Sequence, residues 1–166
     1  MFPEKISYLG FIGGSGIYEL SQLTDVEQIS VETPFGSPSD LITTGKIEGK
    51  NIAFLPRHGK GHKTLPAEVN YRANIYAMKK IGVTHLIGIS AVGSLNKDLS
   101  PGTLVIPDQV IDETKGVRKS SFFGDGIVGH VSFADPFCLQ TRMIIKKSLE
   151  RLNVKNNFNG TYVCIE

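Results

Sequence analysis

The run THLIGISAVGS, Thr84 to Ser94, is apolar almost throughout and ends in small residues. A strand of that kind offers no wet face, so it calls for packing on both sides, as in the interior of a sheet covered by two layers. The segments around it supply such layers. YLGFIGG (Tyr8 to Gly14) reads as a buried strand ending on glycines. LITTGKIEGKNIAFLPR reads as a hairpin, with arms Leu41–Ile47 and Asn51–Pro56 around Glu48-Gly49-Lys50. PAEVNYRANIYAMKKIG carries Val69, Ala73, Tyr76, Ala77 and Lys80 at helical spacing, and Gly82 stops it. GTLVIPDQVID (Gly102 to Asp112) reads as one more strand, with Pro107 marking an edge or a bulge. After a long irregular stretch, Glu113 to Ala134, ADPFCLQTRMIIKKSLERLN reads as a helix. Asp135 suits its N-cap and Pro136 its first position, with Thr141, Ile144, Ile145, Ser148, Leu149 and Leu152 on one face. GTYVCIE is a last strand. The alternation predicts a single α/β domain over residues 1–166, with a mixed, largely parallel central sheet flanked by helices. The strand-like ending YVCIE fits a fragment of a longer fold, and equally a complete small domain whose last strand is central.

Bulk properties narrow the function classes. A chain of 166 residues with 40% hydrophobic and 20% charged residues has the makings of a packed core. A net charge of +2 gives no global support to nucleic-acid or membrane-surface binding. No apolar run reaches the roughly 18 residues of a membrane span, and the N-terminus lacks the pattern of a signal peptide. Cys138 and Cys164 fit no metal spacing and read as buried thiols of a reducing, cytoplasmic compartment.

The chemistry gathers at strand ends. FIGGSG places Gly13, Gly14, Ser15 and Gly16 after the first strand, where backbone N–H groups and the Ser15 hydroxyl can meet an anion; a plain tight turn is the bland alternative. Neither G-x-G-x-x-G nor a P-loop lysine is present, so a dinucleotide or P-loop site is disfavoured. RHGKGHKT follows the strand IAFLP. His58 and His62 are four apart, but Gly59 and Gly61 discourage a helix and no third ligand is evident, which argues against a metal. A solvated basic turn is the stronger alternative to an anion pocket in which Arg57 binds bidentately and His58 adds a hydrogen bond. Ser90 and Ala91 end the run Thr84–Ser94, either as a close-packed exit or as a further anion contact. Gly-Ser-Gly, Arg-His and Ser-Ala at three strand ends all favour one oxyanion. His130 sits in the long irregular stretch, idle or lining a pocket or an interface. The same stretch holds Lys115, Arg118, Lys119, Phe122 and Phe123, which superficially suit single-stranded nucleic acid, but Asp112, Glu113 and Asp125 flank them.

IGGSGI, TPFGSPSD, RHGKGH with NYRAN, SAVGSL, PGTLVIPDQVID, ADPFC and GTYVCIE occur in that order, and together they resemble the trimeric purine nucleoside phosphorylase family. TPFGSPSD and RHGKGH followed by NYRAN are similar to its methylthioadenosine branch, and the resemblance runs from about Ser7 to Glu166. It implies the nucleoside phosphorylase fold, of which this chain would be the N-terminal portion, incomplete at its C-terminal end. It implies reversible phosphorolysis of 5′-methylthioadenosine to adenine and 5-methylthioribose 1-phosphate, with inorganic phosphate as co-substrate and no cofactor or metal. A purine nucleoside or methylthioinosine phosphorylase is the alternative substrate class. A non-catalytic phosphate- or nucleotide-binding module is the alternative of another kind. The resemblance implies phosphate contacts from Ser15, Arg57, His58, Ser90 and Ala91, with serines where many relatives have threonine. Val92 and Gly93 would floor the base pocket, and His130 would line the 5′ end across a boundary of a homotrimer. The base-protonating aspartates, the ribose methionine and a further phosphate-binding threonine would lie beyond Glu166, so the catalytic residues are not assigned and this chain alone is expected to be inactive.

Overall fold

The computed structural model describes residues 7–14, 22–119 and 121–165, in two compact units, Met1–Ala91 and Val92–Glu166. The first unit contains a five-stranded mixed sheet. Its strands are β1 (Tyr8–Gly13), β2 (Thr24–Ile29), β3 (Ile42–Ile47), β4 (Lys50–Pro56) and β5 (Val83–Ile89), in spatial order β2-β3-β4-β1-β5. β2, β3 and β4 run antiparallel, whereas β4, β1 and β5 run parallel. The β3–β4 hairpin closes on Glu48 and Gly49 with φ of 48° and 73°, a two-residue loop whose positive φ values match the twist of the strands.

Helix α1 (Tyr71–Ile81) lies on one face of this sheet. Ala77 and Met78 pack with Ile42, Ala53 and Leu55 into the core, joined by half-buried Tyr8, Ile12, Ile81 and Val83. Val69, Ala73 and Ala77 are buried as the helical spacing predicts, while Tyr76 and Lys80 on the same pattern are exposed. The helix starts later than its sequence pattern. Pro66–Glu68 form a short 3-10 turn, Val69 is extended, and Asn70 caps α1 by accepting from the Ala73 N–H at 3.1 Å. Gly82 ends it in the left-handed region at φ 102°, donating to the Lys79 carbonyl.

The strand covered on both faces is not the one the sequence indicates. Ile52 to Pro56 of β4 are all buried, because β4 sits at the centre of the order. β5, the apolar run that looks interior, pairs only with β1 in the described sheet and leaves Leu86 37% exposed. β2 has a sequence, TDVEQI, that signals no strand, since all but Ile29 are exposed. It is held by backbone pairing with β3 and by Lys46, whose ammonium meets Asp25 at 2.9 Å.

In the second unit the stretch read as one strand is two. β6 (Leu104–Ile106) pairs in parallel with β8 (Asn156–Phe158), and β7 (Gln109–Asp112) with β9 (Thr161–Cys164). Pro107 separates them: it has no N–H for the ladder, and the chain changes partner there. Helix α2 (Leu139–Arg151) begins four residues after the expected Asp135 cap, with Cys138 at the N-cap. Ala134 is held elsewhere, its carbonyl accepting from Gln109 Nε2 at 3.2 Å. Of the expected helix face, Thr141, Ile145, Ser148 and Leu149 are half-buried, while Ile144 and Leu152 are exposed. α2 is fixed to β8 by Arg142 and Lys146, which lie 4.6 and 4.9 Å from the centre of the Phe158 ring. Both cysteines are free, and Cys138 is exposed rather than buried, because the helix start that carries it faces solvent. No helix among the described residues is long and apolar enough to cross a membrane.

Gly10 explains how closely α1 approaches the sheet. A Cβ on Gly10 would sit 2.6 Å from a Val83 methyl and 3.0 Å from the Met78 terminal methyl. Gly10→Ala is therefore expected to destabilise the chain by about 1–3 kcal/mol through overpacking. Gly88→Ala, which meets nothing within 4 Å, is expected to be neutral or slightly stabilising. Urea unfolding of the two variants checks the contrast.

Candidate functional site

Three strand ends stand level. Register pairs Gly13 at the end of β1 with Pro56 at the end of β4 on one side and with Ile89 at the end of β5 on the other. The three strands are parallel neighbours, so the residues that follow them leave the sheet side by side at its carboxyl edge, the usual ligand edge of such sheets. The Arg57 N–H extends the ladder by one bond, donating to the Gly13 carbonyl at 3.0 Å.

Arg57 spans this edge. Its Nη1 donates to Ser90 Oγ at 2.5 Å and lies 3.5 Å from the Ile89 carbonyl. Its Nε donates to His58 Nε2 at 2.9 Å. Its Nη2 faces the end of β1, 3.8 Å from where a Cβ on Gly14 would stand. The guanidinium is thus gripped from β5 and from its own loop, and its outer nitrogen is turned toward the glycine end of β1.

Residues 57–64 show why the loop needs its glycines. Gly59, Gly61 and His62 have φ of 70°, 84° and 54°. These left-handed residues curl the chain back, so that the Lys63 and Thr64 N–H groups both donate to the His58 carbonyl, at 3.0 and 3.2 Å. The same curl brings the Thr64 carbonyl to His58 Nδ1 at 2.9 Å. His58 is only 5% exposed, and its ring stacks on His62 with centroids 4.5 Å apart. Both ring nitrogens are committed, one to Arg57 and one to Thr64, so His58 has no lone pair left for a metal.

A second segment, Thr33–Asp40, braces the loop from outside. Asp40 Oδ2 accepts from the Lys60 N–H at 2.5 Å, and its Oδ1 accepts from the Leu41 N–H at 2.8 Å. Asn74, 2% exposed on α1, accepts from the Ser39 N–H at 2.8 Å and donates to Ser39 Oγ at 2.9 Å. Asn70 donates to the Phe35 carbonyl at 2.7 Å. A Cβ on Gly59 would come within 3.2 Å of the Ser39 carbonyl. Asp40, Thr64 and Asn74 were not singled out from sequence. The need for positive φ at Gly59 and Gly61 is the only sequence signal that points to so tight a loop.

Of the residues expected to meet an anion, Arg57, His58 and Ser90 are brought together. Ala91 follows Ser90 and is exposed. Ser15 lies outside the described residues. Val92, Gly93 and His130 belong to the second unit, where each is exposed. The brace has a measurable consequence. Asp40→Ala is expected to cost about 1 kcal/mol and to abolish protection of the Lys60 amide in hydrogen exchange. The Arg57 amide, bound to Gly13, is expected to stay protected.

Known proteins share this arrangement of strands and loops. The chain is 52% identical over 158 residues to S-methyl-5′-thioadenosine phosphorylase of Geobacter sulfurreducens, covering 95% of this chain and 55% of the relative. It is 52% identical over 163 residues to the enzyme of the same name from Saccharolobus solfataricus, covering 98% of this chain and 60% of that one. It thus spans little more than half the length of these curated relatives. Among solved structures it is similar to a methylthioadenosine phosphorylase sourced from an antarctic soil metagenomic library, with a TM-score of 0.90, 47% identity, and coverage of 98% of this chain and 57% of the other. The methylthioadenosine phosphorylase of Schistosoma mansoni in complex with tubercidin gives a TM-score of 0.89 at 36% identity, covering 97% and 64%. The sequence profile of the phosphorylase superfamily matches residues 8–166, and with the three strand ends carrying Gly13-Gly14, Arg57-His58 and Ser90-Ala91 inside that match, the chain belongs to the phosphorylase superfamily.

Proposed function

We propose that this chain carries the phosphate-binding part of a 5′-methylthioadenosine phosphorylase. The observation that carries the reading is the Arg57 guanidinium, fixed at the level carboxyl ends of β4, β1 and β5 by Ser90 and His58. A guanidinium held in this way presents Nη2 to an oxyanion in a preset direction, so little side-chain entropy remains to be lost on binding. Ser90 Oγ and the backbone at Ala91 stand beside it at the end of the same strand. Ser15, two residues after β1 in the sequence, would add a hydroxyl.

In the proposed reaction a phosphate oxygen attacks C1′ of the nucleoside from beneath the sugar. The C1′–O bond forms as the C1′–N bond to the purine breaks, and the purine leaves with the bond's electron pair and takes up a proton. Positive charge develops on the sugar in between. A phosphate anchored by Arg57 both delivers the nucleophile in position and stabilises that charge. Inorganic phosphate is the co-substrate, and the chemistry calls for no metal or cofactor. Val92 and Gly93 would border the purine, and His130 the 5′ group in a homotrimer. The names of the relatives, methylthioadenosine phosphorylases at about half identity, support 5′-methylthioadenosine over other purine nucleosides.

The test is phosphate-dependent release of adenine from 5′-methylthioadenosine, run on this chain and on a protein carrying the further length of its relatives. The longer protein is expected to turn over and this chain to show negligible activity. Arg57→Lys in the longer protein is expected to raise the KM for phosphate about tenfold or more, since an ammonium lacks the planar array of donors by which His58 and Ser90 hold the guanidinium. If neither protein turns over while phosphate still raises the melting temperature, a binding function replaces the enzymatic one. If phosphate also leaves the melting temperature unchanged, the anion site itself is refuted.

A further inference from the structure

The loop that holds His58 fixes which of its nitrogens bears the proton. Arg57 Nε is always a donor, so His58 Nε2, 2.9 Å away, accepts. The ring is then neutral with its proton on Nδ1, and that proton points to the Thr64 carbonyl at 2.9 Å. The carbonyl is in place because Thr64 and Lys63 bond back to the His58 carbonyl through the turn at Gly59 and Gly61. Residue 58 is therefore tied to residue 64 through both its backbone and its side chain. At 5% exposure the ring has little room to turn over and exchange these partners.

We propose that the His58 ring positions Arg57 rather than contacting the anion itself: the Thr64 carbonyl selects the Nδ1–H tautomer, and the free Nε2 lone pair of that tautomer aims the guanidinium by its Nε–H. Ser90 Oγ holds the other side of the same guanidinium through Nη1 at 2.5 Å. With Nε and Nη1 engaged, Nη2 is turned toward the end of β1, next to Gly14. This inference rests on the phosphate reading above for the identity of the anion. The coupling of His58 to Arg57 does not depend on it. The alternative arrangement is chemically distinct: a ring that contacts the anion through Nε2 must present an Nε2–H donor, and a ring in that state cannot accept from Arg57.

Nitrogen-resolved NMR of the histidine rings and of the arginine Nε–H in this chain separates the two. In the free chain the His58 ring is expected to carry its proton on Nδ1, and the Arg57 Nε–H to exchange slowly. Saturation with inorganic phosphate is expected to leave Nε2 without a proton. His58→Asn keeps a donor for the Thr64 carbonyl but reaches no further. It is expected to speed exchange of the Arg57 Nε–H at least tenfold and to weaken phosphate binding about tenfold. His58→Gln, whose amide oxygen reaches the position of Nε2, is expected to restore slow exchange. A ring that carries a proton on Nε2 in the free or phosphate-saturated chain overturns the proposal. So does an Arg57 Nε–H that exchanges at the same rate in the wild type and in His58→Asn. If phosphate fails to saturate the chain, the phosphate reading falls, and the ring state and Nε–H exchange of the free chain still decide the positioning role.

Discussion

The register of β1 against its two parallel neighbours is the constraint on which the rest of the first unit depends. Because Gly13 pairs with both Pro56 and Ile89, three strands stop at one line. Parallel strands have slanted, evenly spaced hydrogen bonds, and a slip in register would move one strand end away from the other two. Burial on the α1 face guards against such a slip. Ile12, Ala53 and Leu55 meet Ala77 and Met78 on that face, and a slip of one residue would turn them away from the helix. Gly10 lets the helix come close enough for this packing to act. Core packing and site geometry are thus linked: the contacts that hold the sheet also hold Arg57 at the carboxyl ends of β1 and β5.

The loop after β4 converts that placement into a preset charge. Positive charge at a strand end is common and by itself binds loosely. Here the guanidinium is held on both sides by hydrogen bonds, and His58, which holds one side, is itself locked by the fold of its loop. The cost is backbone strain at His62, a non-glycine residue at φ 54°. Asp40 and Asn74 offset it from the neighbouring segment, by accepting the Lys60 N–H and by fixing Ser39 against the loop. Within this basic cluster Lys60, His62 and Lys63 are exposed, whereas His58 is buried and holds Arg57.

The second unit is built on a different plan. Its strands form two separate parallel pairs, and Ile106 is its only buried hydrophobic residue among those described. Two-stranded sheets are marginal by themselves, and parallel ones ordinarily lie beneath helices on both faces. Ile144, Leu152, Val128 and Phe133 are all more than half exposed. Specific polar ties link its segments. The Asp108 N–H donates to the Gly160 carbonyl while the Gly160 N–H donates to Asp108 Oδ1, and Arg142 Nη2 donates to Asn159 Oδ1.

The sequence by itself determined the class of fold, the strands β1, β3, β4 and β5, the body of α1 and its glycine stop. These depend on local periodicity and on turn chemistry, such as the positive φ that Glu48-Gly49 supplies to the hairpin. It also determined which residue types gather at strand ends, since Gly13-Gly14, Arg57-His58 and Ser90-Ala91 each follow an apolar run directly. The tertiary structure alone decided the rest. β2 has no apolar pattern because an exposed edge strand is held by its backbone, and backbone pairing leaves no mark on side chains. The central strand proved to be β4 rather than β5, because hydrophobicity reports how much burial a segment tolerates, whereas neighbours in the sheet decide how much it receives. Asp40 and the Thr64 carbonyl gave no signal in sequence, since a carboxylate bound to a backbone N–H and a carbonyl bound to an imidazole are set by where a loop turns back on itself. The tautomer of His58 belongs to the same class: residue identity allows either, and only the curl through Gly59 and Gly61 selects one.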